Sequence, residues 1–263
     1  GSLSLTSELG TSDSVLAASY AFTGDTISRS GSPRDAFRAN LFTHTATVGL
    51  TQVITSRLVL RGVYTFTGQW GYMEKVYRYV PLFTPGALDA AQAAGGVGFD
   101  NFDQYRSALR PPEEVPDRRL RHAFAIRGLY YFPSIHASLR VDYQLYLDDW
   151  DMRAHTIEPA LRAVVRRRWE VGGWARVYRQ NGASFWRRTY TTDANESQVP
   201  QYRTADRDLS PYTALTLGAR LGYRGERWRV YGEASAVETL YDDFLYRDTL
   251  TAMVFQLGFE VRR

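Results

Sequence analysis

The stretch Ala137-Ser138-Leu139-Arg140-Val141-Asp142-Tyr143-Gln144-Leu145-Tyr146-Leu147 decides how this chain is read. Ala137, Leu139, Val141, Tyr143, Leu145 and Leu147 alternate with Ser138, Arg140, Asp142, Gln144 and Tyr146. Side chains that alternate with period two leave opposite faces of a β-strand. The segment is therefore a strand with one apolar and one charged face. It is also long: a soluble strand averages about 5–6 residues, whereas a tilted strand crossing the hydrocarbon layer needs about 9–11.

The pattern recurs outward in both directions. Toward the N-terminus, Phe124, Ile126, Gly128, Tyr130 and Phe132 oppose Ala125, Arg127 and Leu129; before them, Leu58, Leu60, Gly62, Tyr64 and Phe66 oppose Val59, Arg61, Val63 and Thr65. Toward the C-terminus, His155, Ile157, Pro159, Leu161, Ala163 and Val165 oppose Glu158, Ala160 and Arg162, and Val171, Gly173, Ala175 and Val177 oppose Glu170, Trp174 and Arg176. Three more segments follow, around Arg220, around Arg229 with Glu233, and around Glu260. Aromatic residues gather at strand ends, in Tyr130-Tyr131-Phe132, at Trp70 and at Trp169, where interfacial girdles are expected.

Connections alternate as well. Short turns fall at 55–57, 133–134, 166–168 and 225–226, and longer stretches at 24–38, 71–118, 182–208 and 241–248. Bacterial outer-membrane barrels alternate short periplasmic turns with long exterior loops in this way. The expected fold is an all-β, up-and-down antiparallel transmembrane barrel forming one domain over residues 1–263, with 71–118 as its large exterior loop. Weaker strands at 14–23 and 41–54 and one at 3–9 bring the count to ten or eleven. With a turn at 10–13, strand 3–9 runs the same way as the last strand, so a further strand preceding residue 1 is expected, for a total of about twelve.

Composition narrows the function classes. The chain has 263 residues, 44% apolar and 23% charged, with no cysteine, so disulfides, thiolate metal sites and thiol nucleophiles are excluded. No run approaches the ~18 apolar residues of a membrane-spanning helix. The net charge of +4 comes from arginines spread over alternate strand positions, not from one basic stripe, so nucleic acid is not an expected partner. No cofactor is expected, and His44, His122, His136 and His155 are too dispersed to suggest a metal cluster.

Several motifs carry a resemblance. Tyr143-Gln144-Leu145-Tyr146-Leu147-Asp148-Asp149-Trp150, followed by Ala154-His155-Thr156-Ile157-Glu158, resembles a YRYYxDDWGIxSHTLE pattern. Pro116-Asp117-Arg118 with Arg121-His122-Ala123 resembles PDxRxRHA, and Leu209-Ser210-Pro211-Tyr212-Thr213-Ala214-Leu215 resembles LSxFxALT. These patterns belong to a bacterial outer-membrane barrel family catalogued as a domain of unknown function, and the resemblance covers residues 110–263. The chain departs from the family at Asp151, where glycine is usual, and at its non-aromatic end, Val261-Arg262-Arg263. The resemblance implies a fold and a location in the outer membrane, with periplasmic lipoprotein or redox partners.

The charged face supplies the candidate residues. Arg61, Arg127, Arg140, Arg162, Arg176, Arg220 and Arg229 share it with Asp142, Glu158, Glu170, Glu233 and Glu260. In a barrel of about twelve strands such charges are expected to fill the interior as ion pairs, because a buried charge needs a partner. The alternative is a narrow pore that prefers anions, since arginine exceeds acid on these faces. The hairpin Asp148-Asp149-Trp150-Asp151 reads as two carboxylates capping a tight turn with Trp150 anchored in the interface. Asp148, Asp149 and Asp151 also lie near His155 in sequence, where an acid and an imidazole together activate water in hydrolases, but His155 alternates onto the apolar face and catalysis is not expected. In the long loop, Tyr72, Tyr77, Tyr79 and Phe83 are candidate partner-binding residues. Together these features predict a structural or scaffolding barrel in contact with outer-membrane lipid, lipopolysaccharide and other envelope proteins.

Overall fold

A computed structural model of the chain describes residues 1–8, 13–31, 33 and 36–261. Eleven strands form one antiparallel sheet in which chain neighbours are sheet neighbours. They are β1 (Ser2–Glu8), β2 (Ser14–Ser28), β3 (Arg38–Thr55), β4 (Leu58–Gly71), β6 (Arg118–Phe132), β7 (Ala137–Asp148), β8 (Arg153–Val165), β9 (Trp169–Gln180), β11 (Tyr212–Arg224), β12 (Trp228–Tyr241) and β13 (Thr249–Val261). Two short strands, β5 (Leu82–Phe83) and β10 (Tyr190–Thr191), pair in parallel within the loops. The segments expected to be strands are strands, and the weak one at the N-terminus pairs with β2 from Ser2↔Ala21 onward.

Ten antiparallel steps leave β1 and β13 running in the same direction. Among the described residues no ladder joins them, and the sheet has eleven strands where about twelve were expected. The expected turn at 10–13 lies, apart from Asp13, outside the described residues, as do Arg262 and Arg263.

Period-two alternation positions every side chain. On β7, Arg140, Asp142, Gln144 and Tyr146 face inward, and register carries the same face to Arg127 on β6, which pairs with Asp142, and to Glu158 on β8, which also pairs with Asp142. The opposite face turns Ile126, Leu217 and Leu221 out, each more than half exposed. A continuous apolar surface of this extent is stable only against lipid or a partner. Pro159 sits inside β8, and the β8–β9 ladder is interrupted at Glu158 and Pro159, where the ring leaves no N–H to donate.

The turn end is short and tight. Arg166 and Arg167 adopt left-handed backbone between β8 and β9, and a 3-10 turn at Pro133–Ile135 joins β6 to β7. Trp169, Tyr223 and Trp228 cluster there, with ring centroids 5.0 and 5.4 Å apart. Such a belt is expected where wall meets headgroups.

Candidate functional site: the lumen and its exterior cap

The long loops are not structureless. Residues 72–117, 181–211 and 242–248 fold together over the other end of the barrel. Thr84 caps α1 (Pro85–Ala93), its hydroxyl accepting from Ala87 N at 3.3 Å, and Pro85 supplies the preset φ of a first helical residue. A second short helix, α2 (Phe102–Tyr105), follows. Val80, Leu82 and Tyr190 make one apolar core; Val115, Trp150, Met152, Ala183, Trp186, Leu209 and Phe244 make another.

Polar stitching joins the loops. The buried Glu113 carboxylate accepts from Arg78 Nη1 at 3.1 Å, from Lys75 N at 2.8 Å and from the Thr204 hydroxyl. Arg203, also buried, donates to Pro112 O at 2.8 Å, Pro200 O at 2.7 Å and Glu114 Oε2 at 3.0 Å. The Tyr190 hydroxyl accepts from Thr204 N and Arg187 N and donates to Phe185 O. Burial pushes this phenol up from its ordinary range.

The Asp148-Asp149-Trp150-Asp151 hairpin is where cap and wall meet. Asp148 Oδ1 accepts from Trp150 N at 3.0 Å and Met152 N at 2.9 Å, closing the turn. Its Oδ2 accepts from Arg119 Nη2 at 2.6 Å and from the Tyr146 hydroxyl at 2.8 Å. Asp149 accepts from Leu120 N at 2.8 Å, and Asp151 takes the left-handed φ of +64°. Of the two carboxylates expected to cap the turn, Asp148 bonds its backbone, whereas Asp149 reaches across to Leu120 N and Arg118 on β6. Trp150 does not anchor in the lipid interface: it is buried against Phe185 and under Arg119, and its indole donates to Arg118 O at 2.9 Å. Loops distant in sequence cover it, which the local pattern could not show.

The expected partner-binding residues separate. Tyr77 and Tyr79 are exposed on the cap, while Tyr72 is half-buried against Phe37. Phe83 has no accessible surface and belongs to the cap interior, because β5 places it beneath β10, so it is not available to a partner. Phe99, which the sequence did not single out, is also exposed, next to Phe102.

Within the lumen the predicted charges form a network. Arg127 meets Asp142 at 2.5 Å, Arg140 bridges Asp142 at 2.9 Å and Glu158, and Arg220 pairs with Glu233. Glu170 takes Arg224 at 2.5 Å and Arg229, which also reaches Glu260 at 3.4 Å. All five predicted acids are therefore paired. Arg61, Arg162 and Arg176 have no carboxylate within 4.0 Å among the described residues. The sequence supplied the surplus of arginine; only register shows which arginines carry it.

His155 does not join the acids. Its Nδ1 lies 2.8 Å from the Tyr143 hydroxyl on the outer face, whereas Asp148 is engaged on the inner one. His44 with Tyr20 and His122 with Tyr64 repeat this cross-strand pairing at 2.6 and 2.8 Å. Among the described residues no group of histidines and acids is spaced to hold a metal ion.

The comparisons agree with this geometry. The profile of the family described as "Protein of unknown function (DUF3570)" matches residues 11–232, and the chain belongs to that family. No curated protein matches it. Among solved structures it is similar to the outer-membrane protein OmpT of Vibrio cholerae, with a TM-score of 0.51 and 12% identity over 98% of this chain and 63% of that one. It is also similar to a deltaS2 mutant of the TodX monoaromatic hydrocarbon channel, with a TM-score of 0.50 and 11% identity over 100% of this chain and 73% of that one. The chain spans less than two thirds of the length of OmpT. At these identities the likeness concerns the fold: the chain is an outer-membrane β-barrel protein of the bacterial cell.

Proposed function

We propose that this barrel is a scaffolding component of the cell envelope, its folded exterior cap offering a contact surface to envelope proteins at the outer face and its short-turn end the contact for lipoprotein or periplasmic subunits. One observation carries the reading: the cap has an apolar core of its own, yet leaves Tyr77 and Phe99 more than 60% exposed. Exposed aromatic residues on an otherwise well-packed element mark contact surfaces. The outer wall serves as the contact with lipid and lipopolysaccharide, and no catalytic role is assigned.

Co-purification of the detergent-extracted barrel with envelope proteins, lost in Tyr77→Ser/Phe99→Ser, is the expected result. A barrel that brings down no partner with the cap intact argues against the scaffold.

A second reading, a narrow pore that prefers anions, is favoured by Arg61, Arg162 and Arg176, which have no ion-pair partner among the described residues. Arg140 and Arg220, of the same charged face, are held in ion pairs. Planar-bilayer recording separates the readings. Steady anion-selective current reduced by Arg61→Gln/Arg176→Gln supports the pore, and a silent barrel supports the scaffold.

A further inference from the structure

Beneath the cap, at the exterior end of the lumen, lies a cavity of about 330 Å³ walled by β6, β7, β8, β9 and β11. Three guanidinium groups reach it, those of Arg119, Arg121 and Arg176. Asp148 stands opposite Arg121 in the β6–β7 register, but its oxygens are already taken by Arg119, Tyr146 and two backbone N–H groups. Arg121 Nε is buried without a hydrogen-bond partner, and Arg176 has no carboxylate within reach among the described residues. Asp208, the acid at the cavity's edge, lies 3.6 Å from Arg207. Arg121 and Arg176 are thus the guanidinium groups of this chamber that no ion pair holds among the described residues.

We infer that this chamber is a binding site for a small oxyanion, a carboxylate or a phosphate, held between Arg121 and Arg176. Half-buried Arg121, whose Nε is out of water, is costly to hold without a counter-ion, Arg176 presents an exposed side chain to the same cavity, and the planar fork of N–H donors on each fits the two oxygens of a carboxylate or phosphate. Low-dielectric walls concentrate the field of the two cations inside the chamber. Gln144 and Thr156 add neutral polar groups at the same level, and Tyr146, Tyr178 and Tyr212 offer aromatic walls for the body of a larger anion.

Arg176 has a further position of interest. With Gln144 and Thr156 it also lines a second cavity of about 290 Å³ deeper in the lumen, where Arg61 and Arg127 face Asp142 and Glu158. The deeper cavity holds acids that disfavour an anion, so the site belongs to the upper chamber. Binding there goes beyond the scaffold reading and does not require that the lumen conduct.

The test is calorimetric titration of the full chain in detergent at neutral pH and low salt, with inorganic phosphate and with benzoate as separate probes. At least one probe is expected to bind with a stoichiometry of one. Arg176→Gln and Arg121→Gln should each weaken it by about tenfold or more, the equivalent of about 1.4 kcal/mol. Arg179→Gln, on the outer face of the same strand, should leave it unchanged. Heat-modifiable migration on a denaturing gel confirms that each variant is folded, and Arg176→Gln decides alone if Arg121→Gln does not fold. Failure of both probes to bind the parent protein overturns the proposal. So does equal affinity in Arg176→Gln, or an equal loss in Arg179→Gln, which would reduce the effect to general surface charge.

Discussion

The wall of this barrel turns Leu217 and Leu221 outward, whereas its cap turns Val80, Leu82 and Phe83 inward to essentially no accessible surface. In the wall, apolar side chains are satisfied by lipid and polar ones by each other across the lumen. The cap follows the rule of a soluble domain, with buried apolar residues and a hydrogen-bonded polar frame. The difference teaches that one chain has met two solvents, and that the long loops are the part that had to build a core unaided. It also explains why the largest fully buried side chains, Phe83, Leu82, Val80, Thr204 and Ser210, all lie in loops.

Wall and cap depend on each other most where they meet, at Asp148. Asp148→Ala removes the carboxylate that holds Arg119, whose side chain is only 11% exposed, and leaves that cation without its partner. Loss of one member of a buried pair costs about 3–5 kcal/mol. Both the heat-modifiable transition of the barrel and the protease resistance of the cap are expected to fall.

Leu82→Ala should separate the regions. A fully buried leucine cut to alanine costs about 2–5 kcal/mol. Limited proteolysis is expected to cleave within 72–117 while barrel migration stays at the parent temperature. A parallel drop in both would mean that the cap is not an independent core.

The converse change lies in the wall. A Cβ on Gly218 would stand 2.1 Å from the indole of Trp174, which packs over it from β9 within the lumen. Gly218→Ala must displace that ring, and overpacking of this kind costs about 1–3 kcal/mol. The barrel transition is expected at lower temperature, with proteolysis of the cap unchanged.

The smallest effect concerns acid. Asp193, in the 181–211 loop, has its carboxyl lowered to about 2 by the Ser197 hydroxyl and the Gln198 N–H, which bond the ionised form. A carboxylate depressed in the folded state adds stability that is present above its unfolded value, 3.8, and lost as pH falls through about 2. Amide exchange at Ser197 and Gln198, relative to the intrinsic rate at each pH, should therefore quicken as pH falls from 3.8 through about 2, and Asp193→Asn should remove this pH dependence without altering the barrel transition.

Strand direction, facing and turn positions were legible because a two-residue period needs no knowledge of the rest of the molecule. Arg140, Asp142 and Glu158 could be placed on the inner face from their spacing alone, and His155 on the outer one. The pairing Arg127–Asp142–Arg140–Glu158 could not, because register between strands depends on turn geometry and on the packing of the whole wall. Trp150 and Phe83 were misplaced for a related reason: each was read from its neighbours in sequence, but its surroundings are loops about 35 to more than 100 residues away.

By itself, then, the sequence determined that this protein is a strand-crossing outer-membrane barrel with a charged, arginine-rich interior, since alternation and strand length are local properties of the chain. The tertiary structure decided which arginines remain without a counter-ion, how the loops close into a cap, and where a chamber lies beneath it. Those features arise from contacts between segments far apart in the chain, which no local pattern encodes.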